Sequence, residues 1–422
     1  MSKNNVPKNQ LYFEFMYDEY MKRYGENKYL YDLLDSVDWS SVPDSKNEFK
    51  VGADGYSPRA MCKALFLKLV KRFSSINELI FFLKNNPKLA SNIGFDPIKN
   101  RIPHESTFSK FRKSFECNLI FHVIANTITP GIEMGIFDPS TITIDSYPIL
   151  FNSFFNNKKS FNKKEEKDFN KYYTKPIEAD FGVKTASNDK PVYDKNGKPK
   201  KAISYLGYKV NSVSFLNVPI FSIVTPASPN DLNYFIPLIQ KVLGFLEIDS
   251  FNVLADKGYD VIRFYDYVHE QVGGKAYIPL KNSFNNQFVG DCGKKLSFHS
   301  HYFDKKRQHF RFKYKCNNNS NCFGAKKCCY RYKDHSESNF RELLSRKSVD
   351  FKKRYKKRTL IESIFSKLES IFKSTSLRFV NSVQLDANLS NLYLIASAFL
   401  AHKLGRDDLI ASPKSTMYAY NN

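Results

Sequence analysis

Hydrophobic residues recur at helical spacing in the first third of the chain, from residue 57 to residue 115. Met61, Leu65 and Leu69 follow one another at intervals of four residues, and Ser57, followed directly by a proline, supplies a helix start signal. Apolar positions spaced by about one turn place their side chains on one face of a helix. This segment is therefore predicted to be a helical module.

Two further helices are predicted within this module. Ser75 and Glu78 have capping-box spacing ahead of the apolar run from residue 79 to residue 83. Residues 104 to 115 combine phenylalanines with basic side chains in a short amphipathic helix, which either enters a DNA groove or packs as an ordinary surface helix. The basic side chains predicted to contact DNA here are Lys110, Arg112 and Lys113.

From Ser140 onwards the pattern changes to β-branched and apolar runs that are typical of strands. Predicted strands run from Thr141 to Ile144, Ala202 to Leu216, Pro219 to Val224, Phe251 to Ala255 and Lys275 to Leu280. Predicted helices run from Leu232 to Leu246, Asp260 to Gln271 and Lys347 to Lys373. This order predicts a mixed α/β fold with a ribonuclease H-like core, in which helices flank a mixed central sheet.

Three acidic residues occupy special places in this order. Asp145 ends the first predicted strand, Asp256 ends the fourth, and Glu362 lies in the last helix. If the first and fourth strands are neighbours, their carboxyl ends bring the two aspartates together, and a helix across the sheet supplies the glutamate. Carboxylates this close repel one another unless cations neutralise them, and their oxygens suit two Mg²⁺ or Mn²⁺ ions. The three residues are therefore candidate catalytic and metal-binding groups.

The composition favours a polyanionic partner. Lys and Arg number 65 against 42 Asp and Glu, a net charge of +23 that suits nucleic acid, although codon bias in an AT-rich genome is an alternative source of the lysines. Residues 1 to 15 lack a secretory signal, and the apolar stretch from Leu392 to Ala401 is too short to span a bilayer. We expect a cytoplasmic bacterial protein, associated with the nucleoid and without a membrane partner.

Two insertions interrupt the predicted core. Residues 156 to 201 are rich in Lys, Asn and Asp and are predicted to form a mobile loop or a partly ordered hairpin. Residues 282 to 345 form the second insertion, which is rich in cysteine. The predicted domains are an extension at 1–55, a helical DNA-binding domain at 56–135, the catalytic domain at 136–410 and a tail at 411–422.

The cysteines of the second insertion are candidate ligands for one structural Zn²⁺ ion. They are Cys292, Cys316, Cys322, Cys328 and Cys329. Disulfides are not expected in a cytosolic chain, and thiolates are the soft ligands that zinc prefers. The segment lacks a Cys-x2-Cys pair, so reduced cysteines packed in a small satellite core are the alternative.

Motifs around the three acidic residues resemble those of insertion-sequence transposases of the DDE type. Residues 143–148 (TIDSYP) are similar to the first-aspartate motif and residues 254–259 (LADKGY) to the second. The third motif of one large branch, Tyr-x2-Arg-x3-Glu-x6-Lys, is matched by Tyr355, Arg358 and Glu362. Its last position departs from the pattern, because this chain has glutamate there instead of lysine.

The resemblance covers most of residues 55 to 403. Residues 206–209 and 224–231 are similar to the paired strands and the following loop of these transposases, with Lys209 as a further candidate DNA contact, and residues 57–115 resemble their N-terminal helical domain. It implies metal-dependent cleavage at terminal inverted repeats and strand transfer into target DNA by a homodimer or higher oligomer. The alternatives are a DNA-binding regulator that no longer cuts and a stand-alone metal-dependent nuclease.

The helix predicted to carry Glu362 also presents candidate DNA contacts. A turn of 3.6 residues places Tyr355, Arg358 and Lys373 on the same stripe as Glu362. Arg358 would donate two forked hydrogen bonds to a phosphate, or else form an ion pair with Glu362. Glu369 would repel DNA, so it is expected to turn aside while Lys373 supplies the positive charge.

Overall fold

A computed structural model of the chain describes residues 28–44, 55–96, 102–153, 177–185, 202–281, 295–307, 309–316, 330–334, 340–342 and 344–421. The α-helices are α1 (Lys28–Asp35), α2 (Pro58–Val70), α3 (Ile76–Asn85), α4 (Pro87–Ile93), α5 (Glu105–Ser114), α6 (Asn118–Glu133), α7 (Phe235–Phe245), α8 (Ile262–Glu270), α9 (Val349–Lys356), α10 (Thr359–Ile371), α11 (Val380–Lys403) and α12 (Pro413–Asn421). The strands are β1 (Thr141–Phe151), β2 (Asp180–Thr185), β3 (Ala202–Ser214), β4 (Pro219–Pro226), β5 (Asn252–Ala255), β6 (Ala276–Tyr277), β7 (Leu296–Asp304), β8 (His309–Cys316), β9 (Tyr330–Asp334) and β10 (Ser374–Thr375).

The predicted helical module is confirmed, and side-chain caps fix where its helices begin. Ser57 accepts a hydrogen bond from the backbone amide of Ala60 at 3.2 Å, and Ser75 accepts one from that of Glu78 at 3.1 Å. The Glu78 carboxylate accepts from the backbone amide of Ser74, one residue earlier than a standard capping box requires. Each cap satisfies an amide that the first turn leaves without a helical partner.

The central sheet is mixed, as predicted. Its strands lie in the order β2-β3-β1-β5-β6, with β4 paired to β3 and β10 paired to β1. Strand β1 runs antiparallel to β3 and parallel to β5. The first and fourth predicted strands are therefore neighbours, and the mixed α/β fold class is confirmed.

The first insertion contributes one strand to this sheet. Strand β2 pairs antiparallel with β3, from Asp180 opposite Gly207 to Thr185 opposite Ala202. This pairing agrees with the hairpin alternative of the prediction. The rest of the insertion lies outside the described residues.

Helix α11 is buried along most of its length and covers the outer edge of β4. The Gln384 side-chain oxygen accepts from the backbone amide of Val224 at 2.7 Å, and that of Asn388 accepts from the amide of Ser222 at 3.0 Å. The Asn391 amide donates to the Ser222 hydroxyl at 2.9 Å. These side chains take the place of a further strand and satisfy buried backbone groups at the sheet edge.

The predicted buried helix from residue 392 to residue 401 forms the C-terminal half of α11. Of the helices that the structure describes, none combines the length and the apolar character that a membrane crossing needs.

The helical module and the sheet share one hydrophobic core, because α11 contacts α2, α5 and α6 as well as β4. Arg112 of α5 donates two hydrogen bonds to the Asp386 carboxylate of α11, at 3.1 and 2.9 Å, and both side chains are buried. The prediction that Arg112 contacts DNA is therefore wrong, because this buried ion pair holds its guanidinium. The predicted domain limits stay a prediction.

The prediction of one long helix from residue 347 to residue 373 is wrong, because the segment forms two helices, α9 and α10. Around Arg358 four backbone amides bond to carbonyls only three residues back, at 2.9 to 3.1 Å, and the Thr359 hydroxyl donates to the Lys356 carbonyl at 3.0 Å. Such bonds compete with the regular helical ladder and interrupt it. Lys373 is exposed beyond the end of α10, so it does not lie on the Glu362 stripe.

The second insertion contains a separate antiparallel sheet in the order β7-β8-β9. Leu296, Phe312, Tyr314 and Cys316 form its small core. The burial of Cys316 in this core agrees with the alternative in which reduced cysteines pack in a small satellite core. The other candidate zinc ligands lie outside the described residues, so the zinc site stays a prediction: Cys292, Cys322, Cys328 and Cys329.

Candidate active site

Asp145 and Asp256 are neighbours in the central sheet. Strand β1 pairs with β5 as far as Ile144, which lies opposite Ala255, and the next residues along the two parallel strands are Asp145 and Asp256. The prediction that Asp145 ends its strand is wrong, because β1 continues to Phe151 along β3 and β10. The predicted neighbourhood of the two aspartates is nevertheless present.

One edge of β1 is open beside Asp145. Strand β5 ends opposite Ile144 and β10 begins opposite Leu150, so among the described residues no strand pairs with positions 145 to 149 on this edge. Pro148, which lacks an amide hydrogen, lies within this gap. The gap leaves space for a substrate next to the first aspartate.

Asp256 is held in place by the turn that follows β5. Its carboxylate oxygen Oδ1 accepts a hydrogen bond from the backbone amide of Gly258 at 2.6 Å. A Cβ atom at position 258 would lie 2.7 Å from the same oxygen, closer than real Cβ contacts. The sequence Asp256-Lys-Gly258 therefore holds one oxygen of the carboxylate, and a side chain at position 258 would displace that oxygen.

Arg358 bridges the first aspartate and the glutamate. Its Nη1 lies 3.1 Å from Asp145 Oδ2, and its Nη2 lies 2.6 Å from Glu362 Oε1. The side chains of Arg358 and Asp145 are mostly buried, at 17% and 23% exposure, whereas that of Glu362 is 59% exposed. The ion-pair alternative for Arg358 is thus the arrangement found, and it brings Glu362 to the site through a positive charge.

Burial raises the pKa of Asp145 to about 6, with the Ser146 amide and Arg358 lowering it and the charge of Asp256 raising it further. Because this pKa lies above the ordinary value of 3.8, protonation of Asp145 stabilises the fold in acid. That contribution is lost as the pH rises through about 6. A cation beside Asp145 opposes this effect, since it favours the carboxylate.

Further polar residues lie next to Asp145, and of these the sequence prediction named only Lys209 as a candidate site residue. The Ser146 hydroxyl donates to Asp231 Oδ2 at 2.6 Å. The Lys209 ammonium lies 2.6 Å from Asp231 Oδ1, as an ion pair without the alignment of a hydrogen bond, and donates to the Pro229 carbonyl at 3.0 Å. Tyr259 is buried here, and burial, followed by the charges of three nearby aspartates, raises its pKa. The only sequence signal for Asp231 is its place in the loop motif.

The other predicted DNA contacts lie at different places. Tyr355 stacks on Phe351 of α9, with ring centroids 5.6 Å apart. Lys110 is exposed on α5, and the Lys113 ammonium lies 4.3 Å from the ring centroid of Phe379. Glu369 is half-buried near Tyr147, whose pKa is raised by burial and then by the glutamate charge. That Glu369 turns away from DNA stays a prediction, and Lys373, predicted to supply the positive charge, lies beyond the end of α10.

Within the parts of the chain that the structure describes, no three His, Cys, Asp or Glu side chains are arranged so that they could jointly hold a metal ion. At the candidate site, the Arg358 guanidinium lies between two of the three predicted ligands. The carboxylate oxygens are of the type that Mg²⁺ and Mn²⁺ prefer. The donors therefore fit a divalent cation in chemistry, provided that Arg358 moves.

Comparisons with known proteins match both parts of the chain. A family model described as a transposase domain (DUF772) matches residues 18–114, and one described as a transposase DDE domain matches residues 136–398. A solved structure described as a piggyBac transposase synaptic complex with hairpin DNA is 11% identical, with a TM-score of 0.35 over 93% of this chain and 81% of that chain. Among curated proteins, no sequence match is found.

The DDE-domain match includes Asp145 of β1, Asp256 directly after β5 and Glu362 of α10. It also spans more than half of the chain. The chain therefore belongs to the transposase DDE domain family.

Proposed function

We propose that this chain is a DNA transposase that cleaves at the terminal inverted repeats of an insertion sequence and transfers the cut strands into target DNA. The observation that supports this most directly is the placement of Asp145 beside Asp256, with Arg358 joining Asp145 to Glu362. Membership in the DDE family supports the same reaction class. Such a protein would act on chromosomal DNA in a bacterial cytoplasm.

In this proposal Asp145, Asp256 and Glu362 hold two divalent metal ions, Mg²⁺ or Mn²⁺. When bound, these ions would activate a water or 3′-hydroxyl oxygen and stabilise the oxygen that leaves the phosphodiester. The turn at Gly258 holds the Asp256 carboxylate, and the low dielectric around the mostly buried Asp145 would strengthen its attraction to a neighbouring cation. The packing of α10 against the core sets the position of Glu362.

Arg358 would exchange one anionic partner for another during this reaction. If metal ions were held by these carboxylates, the guanidinium would lose Asp145 and Glu362 as partners, and its paired donors would then be available to a DNA phosphate. The arginine would thus stabilise the protein before DNA arrives and hold the substrate afterwards.

Replacing Arg358 with methionine is expected to raise the affinity for Mn²⁺ by about ten-fold, because charge-assisted hydrogen bonds that compete with the metal ion are removed. Isothermal titration without DNA measures this affinity. The same variant and Arg358→Lys are expected to cleave more slowly than the wild type. Arg354→Met is the control, since Arg354 pairs with Asp350 at the surface. Unchanged or weaker Mn²⁺ binding by Arg358→Met would contradict the exchange.

DNA is the proposed partner of the helical module as well as of the active site. Lys110 and Lys113 are exposed on α5 and remain candidates for phosphate contacts, whereas Arg112 does not. Lys209 would act inside the site, next to Asp231, and Tyr355 beside Arg358. A homodimer or higher oligomer on DNA is proposed, because two ends of an element must be joined to one target.

The reaction itself is tested with purified protein, Mg²⁺ and a duplex that ends in the element's own inverted repeat. We expect a nick at the repeat and, with a second duplex present, a joined product that runs as a longer strand on a denaturing gel. Cleavage without joining would identify a stand-alone nuclease instead. Binding without cleavage would identify a regulator that no longer cuts.

A further inference from the structure

The sheet of the second insertion has an outer face on which basic side chains of the central strand lie beside tyrosines of the two flanking strands. Successive side chains of a strand point to opposite faces of the sheet, so about every second residue of β7, β8 and β9 lies on this outer face. The outer face includes Tyr302, Arg311, Lys313, Lys315, Tyr330 and Tyr332, together with Ser300 and Asp304. The opposite face carries the buried residues Phe312, Tyr314 and Cys316, so the outer face is turned away from the sheet's own core.

The three tyrosines of the outer face are well exposed, at 43% for Tyr302, 38% for Tyr330 and 43% for Tyr332. The rings of Tyr302 and Tyr332, from the two outer strands, approach each other with centroids 6.3 Å apart. At this exposure a large part of each ring is in contact with water. A cluster of exposed rings indicates a binding surface more often than a single exposed ring does.

Basic groups of the central strand lie over these rings. The Lys313 ammonium is 4.2 Å from the ring centroid of Tyr330, and the Arg311 guanidinium is 5.1 Å from that of Tyr332. Arg311 also lies 3.7 Å from the Asp304 carboxylate, so Lys313 and Lys315 carry most of the positive charge available to a ligand. Rings of β9 and cations of β8 thus lie only a few ångströms apart across the sheet.

We propose that the outer face binds an unpaired segment of DNA. Base faces are accessible to stacking only where the strand is unpaired, and aromatic rings beside a row of cations match the base and phosphate of each nucleotide. The protein as a whole carries a net charge of +23, which favours the same polyanion. The choice of DNA rests on the proposed function, since strand cleavage and joining expose unpaired strands.

The test measures binding of a fluorescent oligothymidylate to the full chain carrying Asp256→Asn, without divalent metal, so that cleavage plays no part. Replacing Tyr330 and Tyr332 together with alanine is expected to weaken binding by at least about ten-fold, and replacing both with phenylalanine to preserve it, because stacking needs the ring and not the hydroxyl. Lys313→Ala with Lys315→Ala is expected to lower the slope of log affinity against log salt by about 0.7 for each phosphate that the variant no longer neutralises.

Phe303→Ala is the matched control, because Phe303 is 46% exposed on the same sheet but on the opposite face. Backbone hydrogen exchange in β8 checks that each variant keeps the sheet. Oligothymidylate binding that is unchanged in the tyrosine variant with an intact sheet would overturn the proposal, as would an equal loss of affinity for fully paired duplex. Failure of cleavage in the wild type would overturn the proposed function without affecting this binding result.

Discussion

Asp256→Asn is expected to lower the rate of metal-dependent strand cleavage by roughly a thousand-fold or more. The substitution keeps the size of the side chain but removes a negative charge that would neutralise a bound cation, and such cations contribute several kcal/mol to the transition state. Asparagine also retains an oxygen that can accept the Gly258 amide, so the turn after β5 should survive. Asp145→Asn and Glu362→Gln are expected to act in the same way.

Single-turnover cleavage of an inverted-repeat duplex in Mg²⁺ measures this effect. Asp249→Asn is the matched control, because Asp249 is exposed before β5, at the opposite end of the strand from Asp256. DNA binding without metal should be nearly unchanged in all variants. Full cleavage by one of the three site variants would remove that residue from the catalytic set.

The sequence allowed the neighbourhood of Asp145 and Asp256 to be predicted, because alternating strands and helices imply which strand ends lie together. The position of Asp145 within its strand could not be predicted in the same way. Ser146 and Pro148 interrupt the apolar run, and a proline argues against a central strand. Strand β1 continues through them because β3 pairs along one edge while the other edge is open near Pro148.

The break between α9 and α10 could not be predicted from the spacing of apolar residues either. Apolar spacing is compatible with a continuous helix, yet Phe351 of α9 packs in a small cluster with Leu254 and Tyr277, whereas Ile361 and Ile364 of α10 pack in the main core. Two burial sites in different directions favour two helix axes. The break then places Arg358 at the start of α10, where its guanidinium reaches Asp145.

The sequence also could not show which basic residues of α5 have partners that are distant along the chain. Lys110, Arg112 and Lys113 are equivalent as a run of cations on one helix, and only the tertiary structure separates them. Asp386 lies 274 residues away from Arg112 along the chain, and of these three basic residues it pairs with Arg112. A basic helix in a sequence therefore predicts which residues are charged but not which charges remain available to a partner.

Asp386→Ala is expected to lower the free energy of unfolding by about 3 to 5 kcal/mol, because it leaves the buried Arg112 guanidinium without its anion. The pKa of Lys68 is lowered by burial and raised by the charge of Asp386, so this lysine is a second cation that depends on the same carboxylate. Arg112→Ala is expected to cost less, since Lys68 remains near Asp386 and offsets part of its charge. Joint replacement by Arg112→Met and Asp386→Leu should recover much of the loss, because neither charge is then buried.

Urea unfolding followed by circular dichroism measures these differences, with Lys110→Ala as the control on the exposed face of α5. The midpoint should fall most for Asp386→Ala, less for Arg112→Ala and hardly at all for Lys110→Ala. At a temperature where every variant is folded, the salt dependence of DNA binding should be the same for Arg112→Ala and the wild type, because a buried guanidinium releases no counterions from DNA. A flattened salt dependence together with unchanged stability in Arg112→Ala would instead return Arg112 to the DNA contacts, and the ion pair between α5 and α11 would lose its structural role.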